Sequence, residues 1–313
     1  GLGDVYKRQA ISLRFQNSVK VLGYQFFLPL EKAQINSAES NDAPLILFIG
    51  HVYGKPNLEN PLVPSETLID SADELDRLNP GLIILMGDLS EVAGITQWDQ
   101  LEENFLGRVN APVINAPGNH DLVGRNLYED RFGQTFYSTN YQNSQIIVLD
   151  SDIDHCYIRD LQYLFLKKAI SRGIEDAGVE RILIISHNLI FLIPPDPLAK
   201  HVNVQCQDSN FSKLVQKILL PAADEKPVYI FSGDVGASEE GGSLSPYYHK
   251  DPNTSLYTIA IGLGNGKNDK VLLADASEPL LTFQVISLTG GETFPLETYD
   301  PGYWLNYYSD SLP

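Results

Sequence analysis

The 313-residue sequence predicts a mixed α/β sandwich, two β-sheets with helices outside, and three observations carry that prediction. Short continuous apolar runs recur along the chain, the pattern of strands buried on both faces. In the first half these runs alternate with helical periodicity as β-α-β-α-β, which favours a parallel sheet with helical crossovers. In the last third strand follows strand, which favours antiparallel pairing.

Residues 1–9 (GLGDVYKRQ) resemble translated adapter sequence at the end of an assembled reading frame and are set aside from the fold. Residues 10–42 read as an N-terminal extension or linker. Within it Val21 to Leu30 is apolar but far short of the ~20 residues a spanning helix needs, so it reads as a packed extension or the tail of a truncated anchor or signal. Glu31 to Asp42 is polar and patternless. Leu45 to Ile49 is the first buried strand. Pro64-Ser65 then opens a helix with Leu68, Ile69, Ala72, Leu75 and Leu78 at helical spacing, stopped near Asn79-Pro80-Gly81. Leu82 to Met86 is the second strand. Thr96 to Val109, with Trp98, Leu101 and Phe105 on one face, is the second helix, and Pro112 to Ile114 the third strand. Strand-like runs follow at Thr135 to Tyr141 and Gln145 to Leu149, then a helix from Ile158 to about Arg172 carrying Leu161, Leu164, Phe165 and Ala169. Further strands are expected at Arg181 to Ile185, Val228 to Phe231, Leu256 to Ile261, Val271 to Ala274 and Leu281 to Ser287. No repeat interrupts the pattern. Residues 43–290 therefore read as one domain, and an aromatic-rich tail, 291–313, is expected to pack back on it.

Composition narrows the function. Lys and Arg number 22 against 40 Asp and Glu, a net charge of −18, so nucleic acid and anionic lipid would be repelled unless bound cations reverse the local field. The two cysteines, Cys156 and Cys206, are too few for a disulfide framework and read as buried small residues or one bridge.

The polar residues at strand ends carry the chemistry. Gly50-His51 follows the first strand, Gly87-Asp88 the second, and Gly118-Asn119-His120-Asp121 the third. Ser186-His187-Asn188 and Gly233-Asp234 follow two later ones. Groups at the carboxyl ends of parallel strands converge on one crevice. Imidazole, carboxylate and amide oxygen together suit a borderline divalent ion such as zinc, manganese or iron. Any one such pair alone is more often a turn. All five sharing the same grammar is hard to obtain by chance.

These motifs resemble those of the calcineurin-like metallophosphoesterases: D-x-H, G-D, G-N-H-D/E, a lone His after a strand, and G-H-x-H. The resemblance runs from about Ala43 to Asp275 and is most specific in Ala-Pro-Gly-Asn-His-Asp, 116–121. It implies a four-layer αββα sandwich of two mixed β-sheets flanked by helices, with a two-metal centre between the sheets. Two motifs depart from the pattern: His51-Val52-Tyr53 stands for D-x-H, and Gly233-Asp234-Val235-Gly236 for G-H-x-H. Carried over position by position, the second metal takes Asp88, Asn119, His187 and Asp234, all able to ligate. The first takes His51, Tyr53, Asp88 and Gly236. Gly236 has no side chain, and Tyr53 would have to lose a proton with an ordinary pKa near 10. The exchange is reciprocal, an Asp replaced by His51 and a His by Asp234, so one ion is expected to be held firmly and a second weakly or not at all.

By the same resemblance His120 is the general acid that protonates the leaving alcohol, a task its ordinary pKa suits. Glu91 stands where a related branch places a carboxylate that orients this imidazole; the alternative is a solvated turn residue. Arg125 and Lys55 lie just downstream of motif residues and are weaker candidates for phosphate oxygens. His155, His201 and His249 read as loop or surface residues, and Gly262 to Gly266 as a glycine-rich turn at the rim. The expected function is metal-dependent hydrolysis of phosphate mono- or diesters, with small or sugar-linked esters favoured over polynucleotides. The alternative is an impaired binding module that kept one metal. No membrane span is visible in the sequence, and an exported or anchored location stays open.

Overall fold

The computed structural model describes residues 18–21, 24–27, 43–55, 63–236, 244–264 and 266–310. The adapter-like residues 1–9, the polar stretch 31–42 and Asn265 of the glycine-rich turn lie outside them. Within the segment read as an extension, β1 (Ser18–Val21) and β2 (Tyr24–Phe27) form a two-stranded antiparallel ribbon.

The first half folds as its alternation predicts. β3 (Leu45–Gly50), α1 (Glu66–Arg77), β4 (Leu82–Met86), α2 (Ile95–Asn104) and β5 (Val113–Ala116) make a parallel three-strand unit with helical crossovers. Ser65 caps α1, its Oγ accepting from the Leu68 N–H at 3.4 Å. The second helix is shorter than its pattern: it ends at Asn104 and tightens into a 3₁₀ turn, Leu106–Arg108. After α3 (Arg125–Phe132) come β6 (Tyr137–Tyr141), β7 (Ser144–Val148), α4 (Asp160–Glu175) and β8 (Arg181–Ser186). The buried stripe of α4 is Gln162, Leu166, Ala169, Ile170 and Gly173, while Leu161 and Leu164 face outward. Gln162 turns inward because its amide holds both main-chain groups of Asp150, at 2.7 and 3.0 Å.

A helix that the periodicity did not show runs from α5 (Phe211–Leu214) through a π turn, Val215–Leu219, into α6 (Leu220–Ala223). Pro221 has no N–H for the carbonyl four residues back, and the wider turn spans that break. β9 (Val228–Ser232), β10 (Tyr247–Lys250), β11 (Leu256–Ala260), β12 (Lys270–Asp275), β13 (Thr282–Ser287), β14 (Thr293–Pro295) and α7 (Pro301–Asp310) complete the chain. His249 therefore lies on a strand rather than in a loop.

The strands build two six-stranded mixed sheets, ordered β14-β13-β12-β3-β4-β5 and β10-β11-β9-β8-β7-β6. Their inner faces pack together, Phe48 stacking on Phe231 at 4.1 Å between ring centroids. Leu47, Ile83 and Leu85 on the outer face of the first sheet meet α1 and α2, and Ile182, Ile184 and Ile230 on the second meet α4 to α6. This is the four-layer αββα sandwich. At the edge away from the carboxyl ends the buried Arg181 guanidinium donates to the carbonyls of Ala276, Glu278 and Pro279, tying the second sheet to the β12–β13 turn of the first. Beyond β14, Trp304 of α7 is buried among loop residues 189–202 and donates to the Pro246 carbonyl at 3.0 Å. Among the described residues no helix is long and apolar enough to cross a membrane.

Because Phe48 and Phe231 join the sheets where no polar group can compensate a void, Phe48→Ala is expected to cost about 3–5 kcal/mol, read as a lower urea midpoint at unchanged slope.

Candidate metal centre

Parallel strands β3, β4 and β5 in one sheet and β8 and β9 in the other deliver His51, Asp88, Asn119, His187 and Asp234 to one edge of the sandwich. The backbone turns sharply there: His51 has φ 47° and Asp88 φ 53°, in the left-handed region that L side chains rarely adopt. Close approach also excludes a side chain at Gly87, where a Cβ would stand 2.5 Å from His187 Nδ1. The imidazole lies directly against that glycine.

The side chains converge. His187 Nε2 stands 3.3 Å from Asp88 Oδ1 and 3.7 Å from Asp234 Oδ1, and His51 Nε2 is 3.5 Å from Asp88 Oδ2. His51, Asp88 and Asp234 each offer a ligand atom, all within 4.8 Å of one another, and this group could hold a metal ion. The His187 Nδ1–H donates to the Met86 carbonyl at 2.8 Å, which aims Nε2 at the carboxylates. Both His187 Nε2 and Asn119 Oδ1 are buried without a well-formed hydrogen bond. Buried polar atoms left in this way are rare; a cation can take the Asn119 oxygen directly, and His187 Nε2 once its proton has gone. The residues present therefore fit a divalent ion.

Charge within the cluster is strongly redistributed. Burial alone would push the His187 cation down, but Asp88, Asp234 and the Met86 carbonyl outweigh it and raise its pKa to about 10. Asp88, the nearer carboxylate, is pushed up by burial yet pulled by His187 and His51 down to about 2. Asp234 is raised by burial to about 6, with His187 opposing. His51, pushed down by burial to about 4, is neutral. With no ion bound, a proton on His187 supplies the positive charge.

Outer groups fix these positions. Asp121 accepts from the Leu89 and Gly118 N–H groups, both at 2.9 Å, and so binds the loop after β4 to the loop after β5. Burial, then the neighbouring Asp88, raise its carboxyl to about 7. Asp234 Oδ2 accepts from the Val204 N–H at 3.0 Å, leaving Oδ1 towards His187. Two residues beyond Val204, Cys206 is bridged to Cys156 in the loop after β7. The two cysteines thus form a single bridge, which braces the segment that holds Asp234.

His120 lies beside the cluster, its main-chain N–H donating to Asp88 Oδ1 at 3.1 Å. Its Nδ1 meets the main-chain carbonyl of Glu91 at 2.7 Å. The orienting group supplied by Glu91 is therefore its backbone rather than the carboxylate that the motif comparison suggested. A carbonyl fixes the Nδ1–H tautomer as a carboxylate would, at no cost in buried charge. His120 Nε2 faces Tyr53 Oη at 3.4 Å. Burial and then the Asp88 charge push the Tyr53 phenol well above its ordinary range, so with no ion bound it keeps its proton. The sequence pointed to Tyr53 only as a ligand lost. Gly236 has φ 108°, and a Cβ there would lie 2.3 Å from the Leu263 carbonyl oxygen, so the backbone leaves no room for a side chain. Arg125 donates to Asp150 at 2.6 Å and to Thr135 at 3.3 Å, not to any residue of the cluster. Lys55 is exposed in the loop after β3. His201 stacks on Tyr308 of α7.

No protein-family model and no curated protein sequence matches the chain. Solved structures do. A purple acid phosphatase, PPD1, from yellow lupin (Lupinus luteus) superposes with a TM-score of 0.54 at 13% identity, covering 80% of this chain. This chain spans only 52% of that phosphatase. Vps29 from Entamoeba histolytica, in a complex with Zn²⁺, covers 80% of this chain and 96% of its own at 12% identity, with a TM-score of 0.35. Vps29 from Cryptosporidium parvum covers 80% and 94% at 9% identity, with a TM-score of 0.37. The chain has the calcineurin-like metallophosphoesterase fold.

Two outcomes follow from the electrostatics and the bridge. If His187 Nε2 is a ligand, a divalent ion must displace its proton, and calorimetry in buffers of differing ionisation heat should show about one proton released per ion at pH 7, with affinity rising with pH. Replacing both cysteines by serine should weaken ion binding about 10–100-fold in protein that still melts cooperatively, because Asp234 loses its brace.

Proposed function

We propose that the chain is a metal-dependent hydrolase of phosphate esters, one divalent ion being held by Asp88, Asn119, His187 and Asp234 with His51 alongside. The observation that carries this reading is the buried group His51, Asp88 and Asp234, whose ligand atoms all lie within 4.8 Å of one another, with His187 Nε2 against both carboxylates and an oriented imidazole, His120, next to them. Manganese, zinc or iron suits the mixed oxygen and nitrogen donors. Such an ion would lower the pKa of a coordinated water towards 7 and draw charge from phosphate oxygens.

The protein's own groups do the rest. Asp88 and Asp234 present one oxygen each towards His187, their remaining oxygens engaged by His51 and by Val204. The His120 Nδ1–H stays on the Glu91 carbonyl throughout, so Nε2 is the atom that exchanges a proton. As imidazolium, His120 donates from Nε2 to the leaving oxygen, and the loss of that proton prevents an alkoxide from forming. Tyr53 Oη, against the same nitrogen, positions the ring and can return a hydrogen bond once the proton has gone. The phosphatase that shares the fold supports the reaction class. A small phosphate ester fits a chain of this net charge better than a polynucleotide.

A second reading, a binding module that retains one ion, draws on Gly236 and Tyr53, which leave the family's other metal position without ligands. The bridged cysteines fit an oxidising compartment, and thus an exported protein, under either reading.

In metal-loaded protein His120→Ala should cut turnover of phosphate mono- or diesters about 10²–10⁴-fold with ion content retained, whereas Asp88→Ala should remove both. Elemental analysis should find one tightly held ion per chain. Two tight ions would refute the one-metal centre, and inertness towards both ester types across pH 5–9 would favour the binding module.

A further inference from the structure

We propose that Asp234 sets which ion the centre takes: by presenting a carboxylate oxygen in place of an imidazole nitrogen, it narrows the advantage of zinc and suits the site to manganese. This rests on the one-ion reading above.

The donors can be followed atom by atom. Asp88 and Asp234 each turn an oxygen to the cluster, with His187 Nε2 at 3.3 and 3.7 Å from them. The Asn119 Oδ1 atom is buried without a well-formed hydrogen bond. His51 Nε2, 3.5 Å from Asp88 Oδ2, can add a second nitrogen. Oxygens outnumber nitrogens with or without it. The motif G-H-x-H would place an imidazole at position 234, so Asp234 is the residue that tips this balance.

Its surroundings hold that oxygen in place. The Asp234 main-chain N–H donates to the His187 carbonyl at 2.9 Å, and Gly233 before it packs so closely on the Met86 carbonyl that a Cβ has no room. Oδ2 accepts from the Val204 N–H at 3.0 Å, and the Asn203 side chain also donates to the carboxylate. Oδ1 is left as the donor on the His187 side.

Manganese and zinc ions carry the same charge, so the attraction of the extra carboxylate is alike for both and cancels from their ratio. The proton that His187 gives up to either ion cancels as well. What survives is donor type: imidazole nitrogen favours zinc, carboxylate and amide oxygen favour manganese. Zinc outranks manganese at most sites of mixed donors, so the signature is the size of the gap and not its sign.

The test is calorimetry of the full chain, stripped of metal by chelation, with manganese and zinc chlorides at one pH. Asp234→His should raise the zinc-to-manganese affinity ratio at least about tenfold. Spin-echo spectra of the manganese-loaded variant should show one more imidazole nitrogen than the unaltered chain. Asp234→Asn keeps an oxygen donor of the same size without the charge, so both affinities should fall about tenfold or more while their ratio stays within about threefold. An unchanged ratio in Asp234→His, a ratio that moves as far in Asp234→Asn, or unchanged affinities in Asp234→Asn would each overturn the proposal and leave the metal centre standing. Should Asp234→His not melt cooperatively, Asp234→Asn decides alone. If neither ion binds the unaltered protein, the one-ion reading itself fails, and the selectivity of Asp234 with it.

Discussion

Two carboxylates, Asp88 and Asp234, sit between the sheet ends with 1% of their surface exposed, and neither can stay ionised there without a positive charge beside it. His187 supplies that charge by keeping a proton far above its ordinary range. Much of the surrounding architecture follows from this need. The Met86 carbonyl holds the far side of the imidazole, Gly87 withdraws its side chain to admit the ring, and Asp88 accepts a left-handed backbone so that its oxygens face inward. Asp121 adds a third acid one layer out, kept by two backbone N–H groups and sharing the cost of the crowding. Strain, burial and like charge are concentrated at one edge of an otherwise apolar sandwich. Such concentration is the signature of a candidate functional site rather than of a stabilising core.

How much of this was legible in the sequence depended on whether the cause was local. Strands such as Leu45–Gly50 and Leu82–Met86 are buried on both faces, so their composition alone declares them. The glycine-polar pairs after them were readable because a parallel sheet sends such pairs to one edge. Contacts between residues far apart in the chain were not readable. Nothing near Tyr53 announces that it meets His120, 67 residues away, and nothing near Val204 announces that its N–H will hold Asp234. Glu91 misled for a related reason: a side chain has a letter in the sequence and a carbonyl does not. The helix over 211–223 was hidden by Pro221, and the inward face of α4 by Gln162, a polar residue buried for its hydrogen bonds to Asp150.

The altered motifs look different once their backbone is seen. His51 lies against Asp88 and Asp234 against His187, so each side chain that departs from the motif faces a partner of opposite chemistry. Gly236 is another matter. Its positive φ and its contact with the Leu263 carbonyl mean that no side chain of any kind fits there, and restoring one residue would not restore a second metal position. Tyr53 sits on the side of that position, its phenol engaged with His120. In this chain the phenol hydrogen-bonds the imidazole instead.

This has a consequence for how an anionic substrate could be held. In the proposed one-ion centre, a divalent ion beside two ionised carboxylates and neutral imidazoles would leave a site close to electroneutral, set in a chain of net charge −18. Long-range attraction for a phosphate is then weak, and the field that matters acts only over the few ångströms in which an oxygen can reach the ion.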